Sequence, residues 1–82
     1  MPKPGDRFIH ARFLADDAKP PYDTDDKYRV HVVTAVRHWR HPAPGFTVIY
    51  HTDAKSYDAG NRKGAWSFHS TAMTDHVRKW LP

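Results

Sequence analysis

The amino-acid sequence predicts a mostly β fold, either a small barrel or a rolled antiparallel sheet of four to five strands, with a short C-terminal helix. Three observations lead to this fold class. The chain has 82 residues, the size of one small domain, so 1–82 is expected to form a single unit. β-Branched and aromatic residues alternate with period two over 28–37, which indicates a strand. Apolar residues over 73–81 recur at the spacing of one helical face.

The first predicted strand covers 6–14. Phe8 is expected in the core, together with either Ile9 or Phe13. Ile9 and Phe13 both lie on the face opposite Phe8, because successive residues of a strand point to opposite faces. A β-bulge would reconcile the two faces. The following segment, 15–27, holds five Asp and two Lys and is predicted to be an acidic loop.

The central strand, 28–37, organises the rest of the fold. One face carries Tyr28, Val30, Val32, Thr34 and Val36, and the other carries Arg29, His31, Val33, Ala35 and Arg37. The first face is expected to lie in the core and the second to point outward.

A third strand is predicted over 46–51 and a fourth over 64–69, with a polar loop over 52–63 between them. The third strand should pair antiparallel with the central one, because the proline-containing connection is short. A helix is predicted over 71–81. The predicted core consists of Phe8, Val30, Val32, Val36, Val48, Tyr50, Trp66, Phe68, Met73, Val77 and Trp80.

The composition argues against several classes of function. The chain has no Cys, which excludes disulfides, Cys-ligated zinc and a thiol nucleophile. It has no Gly-x-Ser-x-Gly turn and no glycine-rich phosphate loop, so no enzyme activity and no cofactor are expected. A metal site would need three or four convergent His and Asp ligands from separate elements, so the seven His are interpreted as exposed or half-buried side chains. The segment 15–27 lacks the Gly and Glu of a calcium loop, and no metal is expected. Because no apolar run is long enough for a membrane span, a cytoplasmic protein is expected.

Several stretches together resemble an SH3-like small β-barrel. They are Pro4-Gly5-Asp6-Arg7-Phe8, the strand 30–36, the strand 46–50 and Trp66-Ser67-Phe68. The resemblance implies that 15–27 corresponds to the long first loop of such folds. The chain lacks the run of Tyr that lines a polyproline groove in the peptide-binding type. SH3-like barrels include nucleic-acid binders, peptide binders and assembly proteins, and the size and composition resemble small accessory proteins of phages and actinobacteria.

Basic and aromatic residues are concentrated in two predicted turns of a chain whose formal net charge is +4. Cationic side chains attract phosphates, and an exposed aromatic ring stacks on a base. We therefore expect a non-catalytic binding module that contacts nucleic-acid phosphates. The predicted binding residues are Arg37, His38, Trp39, Arg40, His41, Lys55, Tyr57, Arg62 and Lys63.

Protein binding is the alternative interpretation, because Trp, Tyr and Arg are also the typical anchors of protein interfaces. The contact would centre on Trp39 or on the acidic loop of a host-directed or self-associating protein. The edge strand 64–69 would allow a homodimer to form by strand pairing. The sequence leaves both interpretations open.

Overall fold

A five-stranded antiparallel sheet forms the body of the molecule. The computed structural model describes residues 1–11 and 30–82. Its strands are β1 (Arg7–His10), β2 (Val30–Trp39), β3 (Gly45–His51), β4 (Trp66–His69) and β5 (Val77–Trp80). The sheet order is β4-β3-β2-β1-β5. The prediction of a mostly β fold is confirmed. The sheet is open and does not close into a barrel. The predicted acidic loop and Phe13 lie outside the described residues.

Short helices fill two of the connections. Helix α1 (Ala54–Asp58) follows β3, inside the segment predicted to be a polar loop. The Asp53 side chain caps α1 by accepting hydrogen bonds from the backbone N–H groups of Lys55 and Ser56, at 3.1 and 3.3 Å. A 3₁₀ turn (Ser70–Ala72) and helix α2 (Met73–His76) connect β4 to β5. Within the described ranges the longest helix has five residues, and no helix is suited to cross a membrane.

Both faces of the sheet are covered near the start of β2, which corrects the predicted orientation of this strand. Val30 and Val32 are buried on one face, here called the outer face, where they pack with Ala54 of α1. Val33, expected to point outward, is fully buried on the other face, here called the inner face. His31, also expected to point outward, is only 1% exposed.

A register shift between Val33 and Ala35 changes which side chains of β2 share a face. Val33 pairs with Tyr50 and Ala35 with Ile49, so that β2 has one extra residue at this point. Val36 consequently packs on the inner face with Val33, three residues earlier, rather than with Val30 and Val32.

The inner face carries the larger of two hydrophobic clusters. It consists of Phe8, Val33, Val48, Tyr50 and Phe68, with Val36, Phe46, Met73, Val77 and Trp80 partly buried against it. Ile9 is 1% exposed, so it is the second buried residue of β1, next to Phe8. Trp66, predicted to lie in the core, is 61% exposed because it begins the edge strand β4, which has a strand on one side only.

The C-terminal helix ends at His76, which corrects its predicted extent of 71–81. Val77–Trp80 instead forms β5, which pairs antiparallel with β1. Ile9 pairs with Lys79 and His10 with Val77, so Arg78 is an extra residue on β5. This bulge lets Val77 and Trp80 face the same core, and their three-residue separation imitates the spacing of a helical face.

The carboxylate of Asp6 stabilises the turn that precedes β1. Burial of this carboxylate raises its pKa. Hydrogen bonds from the Lys3 backbone N–H and Nζ, at 3.0 and 2.9 Å, and the charge of Lys3 lower the pKa by more. The pKa of Asp6 therefore lies below its usual value of 3.8. The ionised carboxylate therefore favours the folded state.

Replacing Asp6 with Asn is expected to destabilise the protein at neutral pH by less than about 1 kcal/mol, because Lys3 is exposed to solvent. The stabilisation of the folded state by the Asp6 carboxylate is fully present above pH 3.8, the ordinary pKa of Asp. It is lost as the pH falls through the lower pKa that Asp6 has in the folded state. Urea unfolding at pH 7 and at about pH 2.5 should show the difference between wild type and variant shrinking at the lower pH. A difference that stays constant with pH would contradict this role of Asp6.

Candidate functional site

A groove beside the β2–β3 turn is the first candidate site. It has a volume of about 460 Å³. We call it the hairpin groove, and its lining residues are Trp39, His41, Pro42, Ala43, Pro44, His69, Ser70 and Thr71. Two of the predicted binding residues, Trp39 and His41, lie in it.

The indole of Trp39 is held in place by a glycine on the neighbouring strand. Trp39 pairs with Gly45, and a Cβ atom at Gly45 would lie 2.8 Å from Cζ2 of the indole. The His69 ring lies at 87° to the indole with a centroid separation of 5.3 Å. Trp39 is partly buried and belongs to neither hydrophobic cluster. Its ring is therefore positioned at the surface by the lack of a side chain at Gly45.

A polar row crosses three strands beside Trp39. Arg37 pairs with Thr47, and Thr47 pairs with His69. The Thr47 Oγ1 atom and the His69 Nδ1 atom lie 3.2 Å apart. The Arg37 side chain points to the same face of the sheet as the Trp39 side chain, because Trp39 lies two residues after Arg37 in β2. The sheet thus places an arginine, a hydroxyl and an imidazole next to the indole.

The remaining predicted residues of this turn are all exposed. Arg40 and His41 lie in the connection to β3, and His38 is at the end of β2. The His38 ring is directed towards the Phe46 ring, with a centroid separation of 6.2 Å. Since Phe46 packs on the inner face, His38 lies on the opposite side of β2 from Trp39.

The second predicted group lies at the other end of the hairpin. Lys55 and Tyr57 are on α1, and Arg62 and Lys63 are in the loop that follows. The Arg62 guanidinium lies 4.2 Å from the centre of the Tyr57 ring. Trp39 pairs with Gly45 at one end of β3 and Val32 pairs with His51 at the other, before α1, and these two ends of β3 are roughly 20 Å apart. The nine predicted residues do not form one cluster.

A pocket containing three histidines is the second candidate site, and sequence reasoning missed it. It has a volume of about 260 Å³. We call it the histidine pocket, and its lining residues are His10, His31, Tyr50, Thr52, Trp66, Ser67 and His76. One sequence signal pointed to it, because His10 lies two residues after Phe8 and therefore on the same face of β1.

The imidazoles of the histidine pocket contact one another. The ring of His10 lies 5.4 Å from that of His31 and 5.5 Å from that of His76, measured between centroids. Across residues 1–11 and 30–82, no group of three or more His or Asp side chains is arranged to hold a metal ion. The three imidazoles give the pocket aromatic ring surface.

Comparison of the chain with protein-family models, with curated proteins and with solved structures gives no significant match.

Proposed function

We propose that this protein is a non-catalytic module that binds nucleic acid through the hairpin groove. The observation that carries the proposal is the placement of Trp39 against Gly45, next to the row formed by Arg37, Thr47 and His69. It combines an aromatic ring at the surface with groups that bind phosphate.

The charges around the hairpin groove support this proposal. Ion pairs join Lys3 to Asp6 and Arg7 to Asp58, and none of these four residues lines the groove. Neither pair involves Arg37 or Arg40, and no carboxylate is among the described residues that line the groove. Both guanidinium groups are exposed and suited to phosphate oxygens, which they contact through two parallel N–H bonds.

The type of side chain favours a single strand over a duplex. An indole stacks on a base only when the face of that base is accessible, as it is in single-stranded DNA or RNA. The hydroxyl groups of Ser70 and Thr71, which line the groove, are typical donors to phosphate oxygens and carry no sequence preference. We therefore expect binding that depends on strand type and salt more than on sequence.

A relationship to SH3-like small barrels stays a proposal, and the observed sheet is open. The sequence features behind that resemblance are four or five short strands, a long first loop, a proline-containing second turn and a helical turn near the end. Because such folds serve several functions, this relationship is compatible with the proposal and does not select it.

Fluorescence anisotropy with labelled single- and double-stranded oligonucleotides at about 50 and 200 mM salt tests the proposal. Replacing both Arg37 and Arg40 with Ala is expected to lower the slope of log K against log salt by up to about 1.4 for a single strand, from two lost phosphate contacts. Trp39→Ala is expected to weaken binding by about 5- to 150-fold, because one stacked base is lost, and to leave the slope unchanged. Gly45→Ala should weaken binding in the same direction, because the new Cβ displaces the indole.

A matched control is the double replacement of Arg62 and Lys63 with Ala, which removes the same charge at the other end of the hairpin. It should leave the slope as in wild type. An equal drop in slope for both double variants would show that net charge, and not the groove, determines the binding. If the wild-type protein binds no oligonucleotide at 50 mM salt, the proposal fails and Trp39 becomes a candidate anchor for a protein partner.

A further inference from the structure

We propose that the histidine pocket binds a planar heteroaromatic ring that carries both hydrogen-bond donors and acceptors, the chemistry of a nucleobase. The ring would come from a free nucleoside or from an unstacked base of a strand. This inference does not depend on the hairpin groove, because the pocket opens on the inner face of the sheet and shares no lining residue with the groove.

The pocket is built on the strands of the sheet. Six of its described side chains come from β1, β2, β3, β4 and α2, and Thr52 follows β3. His31 is 1% exposed and stacks on Tyr50 with the ring planes 12° apart and a centroid separation of 5.3 Å. His76 stacks on Phe68 at 5.2 Å and 15°. A pocket whose walls are anchored in the core loses little entropy when a ligand binds.

The size and the walls of the pocket favour a single flat ring system. Its volume of about 260 Å³ is slightly below the range of about 300–1,000 Å³ that is usual for drug-sized ligands. Tyr50, Trp66 and three imidazoles provide aromatic surface. Aromatic walls favour stacking and edge contacts with a ring.

The polar groups favour a ligand with no net charge. None of the described lining residues is Asp, Lys or Arg. A neutral imidazole offers one N–H donor and one acceptor, and a hydroxyl group offers both. The Nδ1 atom of His76 is buried and has no hydrogen-bond partner within the described part of the chain, so it is a polar group that a ligand would satisfy. A fixed anion or cation would be poorly compensated here, whereas a nucleobase matches the mixture of donors and acceptors.

Trp66 gives independent support. It is a large aromatic residue with 61% of its surface exposed, and it lies at the rim of the pocket. An indole in this position is available to cover a ring that enters the pocket. Tryptophan is suited to this role because it combines a wide apolar face with a polar N–H group.

NMR titration tests the inference. The four common ribonucleosides are added separately to the intact protein at 200 mM salt, with ribose and inorganic phosphate as controls, and the ring C–H signals of His76 and the other histidines are followed. We expect saturable shifts of these signals with at least one nucleoside, with a Kd of about 0.1–1 mM, as for a ligand of this size, and no shift with ribose or phosphate. The absence of saturable shifts up to about 10 mM nucleoside, ten times the upper end of the expected Kd range, would overturn the inference. Equal shifts with ribose would also overturn it.

Two variants assign the binding to the pocket. Trp66→Ala, a change at an exposed position, is expected to weaken nucleoside binding at least tenfold, and Trp39→Ala is expected to leave it unchanged. The opposite result would overturn the inference and place the ring in the hairpin groove.

A competition experiment identifies the source of the ring. If a short single strand shifts the histidine signals of the wild-type protein and an added nucleoside reverses those shifts, an unstacked base of the strand uses the same pocket. If the nucleoside binds and the strand never shifts these signals, the ligand is a free nucleoside. Failure of the groove proposal is distinguishable, since the nucleoside titration would stay intact and any strand binding would not depend on Arg37, Arg40 or Trp39.

Discussion

Phe8→Ala is expected to lower the free energy of unfolding by about 3–5 kcal/mol, the usual loss when a buried Phe is truncated. The ring of Phe8 is fully buried and contacts four other rings. The centroid separations are 5.3 Å to His31, 5.2 Å to Tyr50, 6.1 Å to Phe68 and 5.2 Å to Trp80. A domain of 82 residues has a total stability of roughly 4–12 kcal/mol, so this one change removes a large part of it.

Urea unfolding followed by circular dichroism measures the effect of Phe8→Ala. Phe8→Leu, which keeps most of the apolar volume, should be less destabilising than Phe8→Ala. The matched control is Trp66→Ala, which removes an exposed aromatic ring and is expected to change stability by about 0.5 kcal/mol or less. If the Phe8 and Trp66 variants were equally destabilised, Trp66 would belong to the core after all.

Gly64→Ala is expected to destabilise the protein by about 1–3 kcal/mol, because the added methyl group overpacks its surroundings. The new Cβ would collide with Oγ1 of Thr34 and lie 2.8 Å from Cγ2 of Ile49 and 3.1 Å from the backbone carbonyl carbon of Tyr50. The backbone of β3 is held on both sides by β2 and β4 and has little freedom to move away. Chemical denaturation at neutral pH measures the loss.

Gly45→Ala is the matched control for Gly64→Ala, because the three atoms nearest to its new Cβ are all ring atoms of Trp39. An indole at the surface is able to rotate away, so the loss of stability should be smaller than at Gly64. A second control adds Thr34→Ala to Gly64→Ala. It removes the Thr34 hydroxyl and should recover part of the loss, an interaction that a double-mutant cycle isolates. Equal destabilisation by Gly45→Ala and Gly64→Ala would contradict the crowding argument.

The fold class was predictable because alternation with period two is a local property of a strand. Val30, Val32, Val48 and Phe68 are buried as expected. Bulges account for two of the errors, the face of Val36 and the extent of the C-terminal helix. Val33 and Val36 share the inner face across one register shift, and Val77 and Trp80 share it across another. An apolar pair three residues apart has the same pattern in a bulged strand and in a helix, and only the pairing partner distinguishes them.

The candidate sites were predictable in part, for a related reason. Trp39 and Arg37 are close in sequence, so their association was visible in the chain itself. Thr47 and His69 complete that surface from two other strands, and strand pairing alone brings them together. The histidine pocket draws its seven described lining residues from several separate segments. No short motif marks such a pocket, and the predicted burial of Trp66 concealed its rim.

The extra residue between Val33 and Ala35 divides β2 into two halves with opposite phase. Before it, even-numbered positions such as Val32 point to the outer face. After it, odd-numbered positions such as Arg37 and Trp39 do. If β2 kept all its residues but paired without the bulge, the second half of the strand would be rotated by half a turn. Arg37 and Trp39 would then point towards the hydrophobic cluster, and Val36 would point to solvent. The bulge, as much as the identity of the side chains, determines which residues the hairpin presents to a ligand.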